Sequence, residues 1–130
     1  MNDERAASWG SRDRLAIAKE AIAMLRIYDD AVAMCRDAAM VAKAVERFDG
    51  DLARQLRRAA ASVPLNIAEG SGASGGNRRQ RYHSALGSAR EVVACFDVAS
   101  AMYAGPIDNA ARKRLDVIIG TLTNVLRLRK

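Results

Sequence analysis

Aromatic side chains make up only 5% of this 130-residue chain, and two prolines and nine glycines punctuate it sparsely. Strands draw on β-branched and aromatic residues, whereas alanine, abundant here, is the best helix former and is depleted in sheets. The shortage therefore excludes a sheet-based core and favours close-packed helices. One histidine and two cysteines without a Cys-x-x-Cys spacing argue against a zinc site built from the protein. Cys35 and Cys95 fall on apolar faces and read as free buried thiols, small hydrophobes in effect. No apolar run approaches the ~18 residues of a membrane span, so no membrane partner is expected. The N-terminus, MNDERAASWGSRDR, is charged and lacks the apolar core of a secretory signal. The expectation is a soluble cytoplasmic protein, where a disulfide would not persist, with no cofactor and no metal.

What the chain does have is half apolar composition and a length fit for one domain with one core. The most informative stretch is Leu52 to Gly70, LARQLRRAAASVPLNIAEG. Leu52, Leu56, Ala59, Val63 and Ile67 recur every three or four residues and paint one helical face. Gln55, Ser62, Asn66 and Glu69 form an adjoining polar stripe, the kind that meets a partner helix or another subunit. Pro64 removes a backbone donor and presses on the carbonyl of Ala60, so a kink is expected there. The apolar stripe continues through it, so the helix is kept whole.

Four helices follow from the same periodicity. After an N-terminal tail over 1–11 that reads as disordered, Leu15, Ala18, Ile22, Leu25, Tyr28, Val32, Cys35, Ala39, Ala42 and Val45 space out one long helix over 12–47, capped by Ser11. Such a length exceeds the usual globular helix, so part of it is expected to pack on another subunit. Asp49 or Asp51 caps the second helix, 51–69. A flexible Gly/Ser loop, 70–76, leads to Asn77, the expected cap of a third helix over 78–103, with Tyr82, Ala85, Leu86, Ala89, Val93, Phe96 and 100–103 inward and Ser84, Ser88 and Glu91 on its polar stripe. Gly105-Pro106 turns the chain into a fourth helix, 107–126, with Ala111, Leu115, Ile118, Leu122 and Val125 inward. The fold expected for 12–128 is all-α, an up-down-up-down four-helix bundle.

The net charge of +6 is unevenly spread. Residues 51–90 hold seven arginines against two acids, and residues 112–130 hold six Lys/Arg against Asp116. Residues 1–50 and 91–111 are net acidic. Two arginine-rich zones suggest a polyanionic partner, because a guanidinium grips phosphate bidentately. The candidate contacts are Arg54, Arg57, Arg58, Arg78, Arg79, Arg81, Arg127, Arg129 and Lys130. Aromatics are too few for a base-stacking platform.

Other chemistry is thinly represented. The glycine-rich loop has no Gly-Lys-Ser/Thr after it and no strand before it, so it is not a phosphate loop. Arg78, four residues, then His83 on a helical scaffold resembles the active motif of the small helical ribonucleases called HEPN domains, in which histidine would act as acid or base and arginine would stabilise phosphate charge. The match is short, and a lone histidine without an orienting partner is weak support for catalysis. Asn66, Glu69, Ser88 and Glu91 read as polar groups that meet across the second and third helices and fix their register.

Gln55, Arg58-Ala59-Ala60, Ser62-Val63-Pro64, Asn66-Ile67-Ala68-Glu69-Gly70, then Ala85-Leu86-Gly87-Ser88, Ala89 and Glu91, together resemble the four-helix bundle proteins encoded in 23S rRNA intervening sequences. The same superfamily includes the accessory variability protein of diversity-generating retroelements. The resemblance implies a four-helix bundle assembled into a homopentameric ring and, for the retroelement branch, a basic surface that binds nucleic acid and a reverse transcriptase. It marks Gln55, Asn66, Glu69, Gly70, Ser88 and Glu91 as signature positions with a structural or assembly role. Arg78-Arg79-Gln80-Arg81 stands where many relatives have large apolar residues, which makes that end more exposed and basic. The expected function is that of a non-enzymatic homo-oligomer binding structured RNA or DNA. A protein-interaction module is the first alternative and the HEPN-like ribonuclease the second.

Overall fold

The computed structural model describes residues 10–128. Four antiparallel helices account for most of them: α1 (Ser11–Val45), α2 (Gly50–Ser71), α3 (Gly75–Ala99) and α4 (Asn109–Leu128), with a π-helical turn, Ser100–Ala104, continuing α3. No strand occurs among the described residues. The expected four-helix bundle is the fold. The tail, residues 1–9, and the last two residues, Arg129 and Lys130, lie outside the described residues.

One core runs the length of the bundle. On α2 the expected face is the buried one, Leu52, Leu56, Ala59, Val63 and Ile67, and on α4 all five expected positions are buried. On α3 the core takes Val92, Cys95 and Ala99 beside the expected Tyr82, Ala85, Leu86, Ala89 and Phe96, leaving Val93 half-buried.

Helix α1 departs from the expectation. Its buried stripe is Met24, Ile27, Ala31, Met34, Ala38, Ala42 and Val45, one residue out of register with the expected one over most of its length. Leu15, Ile22 and Leu25 are exposed, Leu25 at 71%. The cause is geometric. A stripe of near-heptad spacing drifts ~20° per seven residues around a 3.6-residue helix. The stripe that begins at Leu15 therefore starts on the outer side, touches the core at half-buried Cys35 and is fully buried only at Ala42 and Val45. Helix α1 carries two apolar stripes, and only one of them faces the bundle. Among the described residues, none before Met24 is buried, so the first turns of α1 run past the core as an arm.

The caps also differ in part. Gly10, not Ser11, holds the α1 N-cap position, without a side-chain bond. Asp49 caps α2 as expected, accepting from the Leu52 N–H at 2.9 Å. The connection between α2 and α3 is shorter than the expected loop. Helix α2 continues to Ser71 and α3 starts at Gly75, whose φ of +59° is the left-handed geometry glycine allows, so Asn77 lies inside the helix rather than at its cap. The guanidinium of Arg78 folds back over this turn. Its Nε donates to the carbonyls of Gly70 at 3.1 Å and Ala73 at 2.9 Å. The carbonyls at the α2 C-terminus thereby gain a side-chain donor.

Helix α2 is continuous through Pro64, which is buried. The Ala60 carbonyl, left without its helical donor by the proline, accepts from the Cys35 thiol of α1 at 3.3 Å. At the opposite end from the α2–α3 turn, Tyr103 donates to Asp49 Oδ2 at 3.1 Å and stacks on Phe48 with ring centroids 5.8 Å apart. Arg114 of α4 pairs with Asp37 of α1 at 2.9 Å.

Candidate nucleic-acid interface

The signature stretch of α2 faces α3 along a polar seam. Ser88 donates to Ser62 Oγ at 2.8 Å, and Asn66 Nδ2 donates to both the Ser62 carbonyl and its Oγ at 2.9 Å. All three side chains are half-buried. One hydroxyl, Ser62, thus links both helices, and a slip of either would break the chain of bonds, so the seam holds register. Gly70 packs against Tyr82: a Cβ at Gly70 would stand 2.4 Å from Tyr82 Cε1 and 2.6 Å from Cδ1. Only glycine admits the ring there.

The remaining signature residues are exposed. Glu69 pairs with Arg81 at 3.0 Å. Gln55 and Glu91 border a groove at the other end of the seam, with Asp49, Asp51 and Cys95. Burial, with the Glu91 charge adding to it, raises the Cys95 thiol above its ordinary value. Burial alone raises Cys35.

The basic residues divide into two sets. Because α2 and α3 are antiparallel, Arg54, Arg57 and Arg58 lie toward the α1–α2 turn, while Arg78, Arg79 and Arg81 lie beside the α2–α3 turn. The rise of ~1.5 Å per residue puts Arg58 and Gly70 about 18 Å apart along α2. The arginines of the expected 51–90 zone therefore lie at two separate places. The first set is largely neutralised. Arg54 pairs with Asp51, and Arg57 pairs with Glu46 at 2.8 Å. Arg58 is exposed with no partner among the described residues. Farther along α3 and α4, Arg112 pairs with Asp97 at 2.6 Å.

In the second set Arg81 is paired with Glu69, and Arg78 and Arg79 keep their charge. Arg78 is bound to neutral carbonyls, and Arg79 Nη1 donates to the Leu126 carbonyl at 2.9 Å, tying the start of α3 to the end of α4. A carbonyl holds a guanidinium in place without cancelling its charge, and a guanidinium has donors to spare. Exposed Arg127 follows Leu126 directly. Lys19 and Glu20 of the α1 arm border the same end, lining a groove with Arg78, Asn124 and Leu128. Against Arg78, Arg79, Arg81, Arg127 and Lys19 stand two acids, Glu20 and Glu69. The chain then runs on to Arg129 and Lys130, outside the described residues. Sequence reasoning missed the carbonyl ties of Arg78 and Arg79, which join residues five to 47 positions apart and leave no local pattern.

His83 is exposed and, among the described residues, has no hydrogen-bond partner. It is five positions from Arg78, which on a helix of 3.6 residues per turn places the two about 140° apart. They lie on different sides of α3.

The profile of the 23S rRNA-intervening sequence proteins matches residues 23–124. Neither a curated protein nor a solved structure matches the chain. The match spans the core-facing part of α1, the whole polar seam, the α2–α3 turn and α4 as far as Asn124. The four-helix bundle and the sequence profile agree, and the chain belongs to the 23S rRNA-intervening sequence protein family.

Proposed function

We propose that this protein is a non-enzymatic homo-oligomer that binds structured RNA through the end of the bundle formed by the α2–α3 turn and the α4 C-terminus. One observation carries the reading: charges segregate along the bundle axis. Arg78, Arg79, Arg81, Arg127 and Lys19 gather at one end against Glu20 and Glu69, of which Glu69 is paired with Arg81, while at the opposite end Arg54, Arg57 and Arg112 are each matched by an acid in an ion pair. The two carbonyl-held guanidiniums support it further, since donors already fixed in place lose little freedom on meeting phosphate. The family's association with rRNA favours RNA over DNA as the ligand. Recognition is of backbone and shape, because phosphate contacts position a protein without reading sequence.

The non-enzymatic part is supported by the divergence of Arg78 from His83 and by the engagement of Arg78 with carbonyls. The assembly is a ring of five copies, as the family resemblance implies, and the exposed apolar stripe of α1 supports association. The test is fluorescence-anisotropy binding to a structured RNA across a salt titration, with duplex DNA in parallel. Tight RNA binding with a steep salt slope, lost in Arg81→Glu/Arg127→Glu, upholds the reading. Absence of binding at low salt overturns it and leaves a protein partner as the role of the bundle.

A further inference from the structure

Beside the arginines of the α2–α3 turn lies a groove whose side chains are mostly uncharged and polar. Asn77, Gln80, Arg81 and Ser84 of α3 share an arc of about 100° around the helix. They line a cavity of about 530 Å³, with Ala68, Glu69 and Gly72 opposite them. All four α3 side chains are exposed. Arg81 is paired with Glu69 at 3.0 Å. The side chains of Asn77, Gln80 and Ser84 have no hydrogen-bond partner among the described residues. Asn77 is available because α3 starts two residues before it, which takes its amide out of the cap position.

The chemistry of the groove narrows its ligand. A side-chain amide and a hydroxyl each donate and accept, and the Glu69 carboxylate only accepts. Phosphate oxygens only accept as well, so phosphate leaves the groove's acceptors unmet and is repelled by Glu69. The group that suits it both donates and accepts, carries no charge, and lies next to phosphates. The ribose 2′-hydroxyl has these properties, and DNA lacks it. We infer that Asn77, Gln80 and Ser84 contact 2′-hydroxyls of an RNA strand held by the neighbouring arginines, and so set the preference of this end of the bundle for RNA over DNA. The inference rests on the RNA-binding reading above and names the residues that give that surface its specificity. The order along α3 suits a sugar–phosphate chain, since Arg78 and Arg79 stand between Asn77 and Gln80. Ala68 and Gly72 on the facing wall are small enough to leave room for a sugar. A deoxyribose strand in the same place would cover the amides without pairing them, and a polar group left unpaired on binding costs affinity.

The experiment compares two forms of one hairpin sequence by fluorescence anisotropy: RNA, and the same strand with 2′-fluorine in place of every 2′-hydroxyl. The fluorinated strand keeps the A-form shape and the phosphates but has no hydroxyl proton to donate. The proteins are the full chain and Asn77→Ala/Gln80→Ala/Ser84→Ala. The three positions are exposed and alanine is the better helix former at each, and circular dichroism verifies that the variant folds. The unmodified chain is expected to bind the RNA about tenfold more tightly than the fluorinated strand, the effect of a few exposed hydrogen bonds. The variant is expected to lose that preference while its salt slope on RNA stays that of the unmodified chain, because no charge has been removed. Equal binding of the two strands by the unmodified chain overturns the inference without needing the variant, and leaves the RNA-binding reading standing. A variant that keeps the preference, or that loses affinity for both strands alike, also overturns it. Absence of RNA binding by the unmodified chain at low salt removes both the inference and the RNA-binding reading.

Discussion

The thiol of Cys35 on α1 donates to the carbonyl of Ala60 on α2, the oxygen that Pro64 leaves without its helical donor. A proline buried in the middle of a helix costs a hydrogen bond, and here a neighbouring helix returns one. The expected outcome is that Cys35→Ala destabilises the fold by about 1 kcal/mol and Cys35→Ser by less, because serine keeps a donor. In a Pro64→Ala background the residue at 64 supplies its own N–H, and the cost of Cys35→Ala shrinks. A double-mutant cycle from urea unfolding measures this coupling. Additive effects at the two sites would refute the relationship.

The alkaline side of the stability profile carries a second expectation. Burial raises both thiols, and the Asp49 hydrogen bond, followed by burial and the Asp49 charge, raises the Tyr103 hydroxyl. A group whose folded pKa is raised holds its proton more tightly in the native state. The stability it contributes is complete below the unfolded value and is lost as pH rises through the folded value. The urea midpoint is therefore expected to hold near neutrality and to fall above the ordinary thiol range. Tyr103→Phe should flatten the most alkaline part of that fall. A midpoint independent of pH through this range would contradict the assignment.

Gly70 leaves no room for a side chain beside Tyr82. Gly70→Ala is expected to cost about 1–3 kcal/mol, the range for overpacking a filled site, despite alanine's better helix propensity. Thermal unfolding reads the loss, and a neutral or stabilising result would mean the ring moves aside freely.

In the polar seam, Ser88→Ala removes one donor to Ser62 and should cost about 1 kcal/mol. Ser62→Ala should cost more, since it also removes the side-chain acceptor of Asn66. The double variant should fall well short of the sum, because each loss spoils the same bond.

The arginines at the α2–α3 turn separate stability from binding. Arg78→Ala exposes two carbonyls to loss of their donor and is expected to lower both the unfolding temperature and RNA affinity. Arg127→Ala should leave the unfolding temperature unchanged, weaken RNA binding, and reduce the log–log salt slope by about 1. Parallel melting and anisotropy measurements distinguish the two. Equal loss of stability at both positions would place Arg127 in the fold rather than in the interface.

Much of the architecture was legible residue by residue. Leu115, Ile118 and Leu122 have one apolar neighbourhood to choose, and Leu52 to Ile67 carry a single unbroken stripe, so periodicity alone finds their buried side. Helix α1 has two stripes one residue apart, and periodicity cannot say which of Leu25 or Met24 turns inward. Only the packing of α2 and α4 against it decides. The interface was legible as composition but not as a surface. Arg54 and Arg78 belong to similarly basic stretches, yet one meets Asp51 and the other backbone carbonyls, and both partners depend on how the chain folds back. The turn at 72–74 reads as slack from the glycines in and around it because the brace from Arg78 comes from the following helix.

The π-helical turn at Ser100–Ala104 gives the last stretch of the third helix a different phase. Its wider coil advances the chain through a smaller angle per residue than an α-helix would, and this sets the direction in which Tyr103 leaves the axis toward Asp49. Segment length is therefore the sensitive variable in this corner. Replacing exposed Ala101 by another good helix former leaves the geometry intact, whereas deleting one residue between Ser100 and Met102 turns Tyr103 away from Asp49 and unlatches the corner, with no core side chain altered.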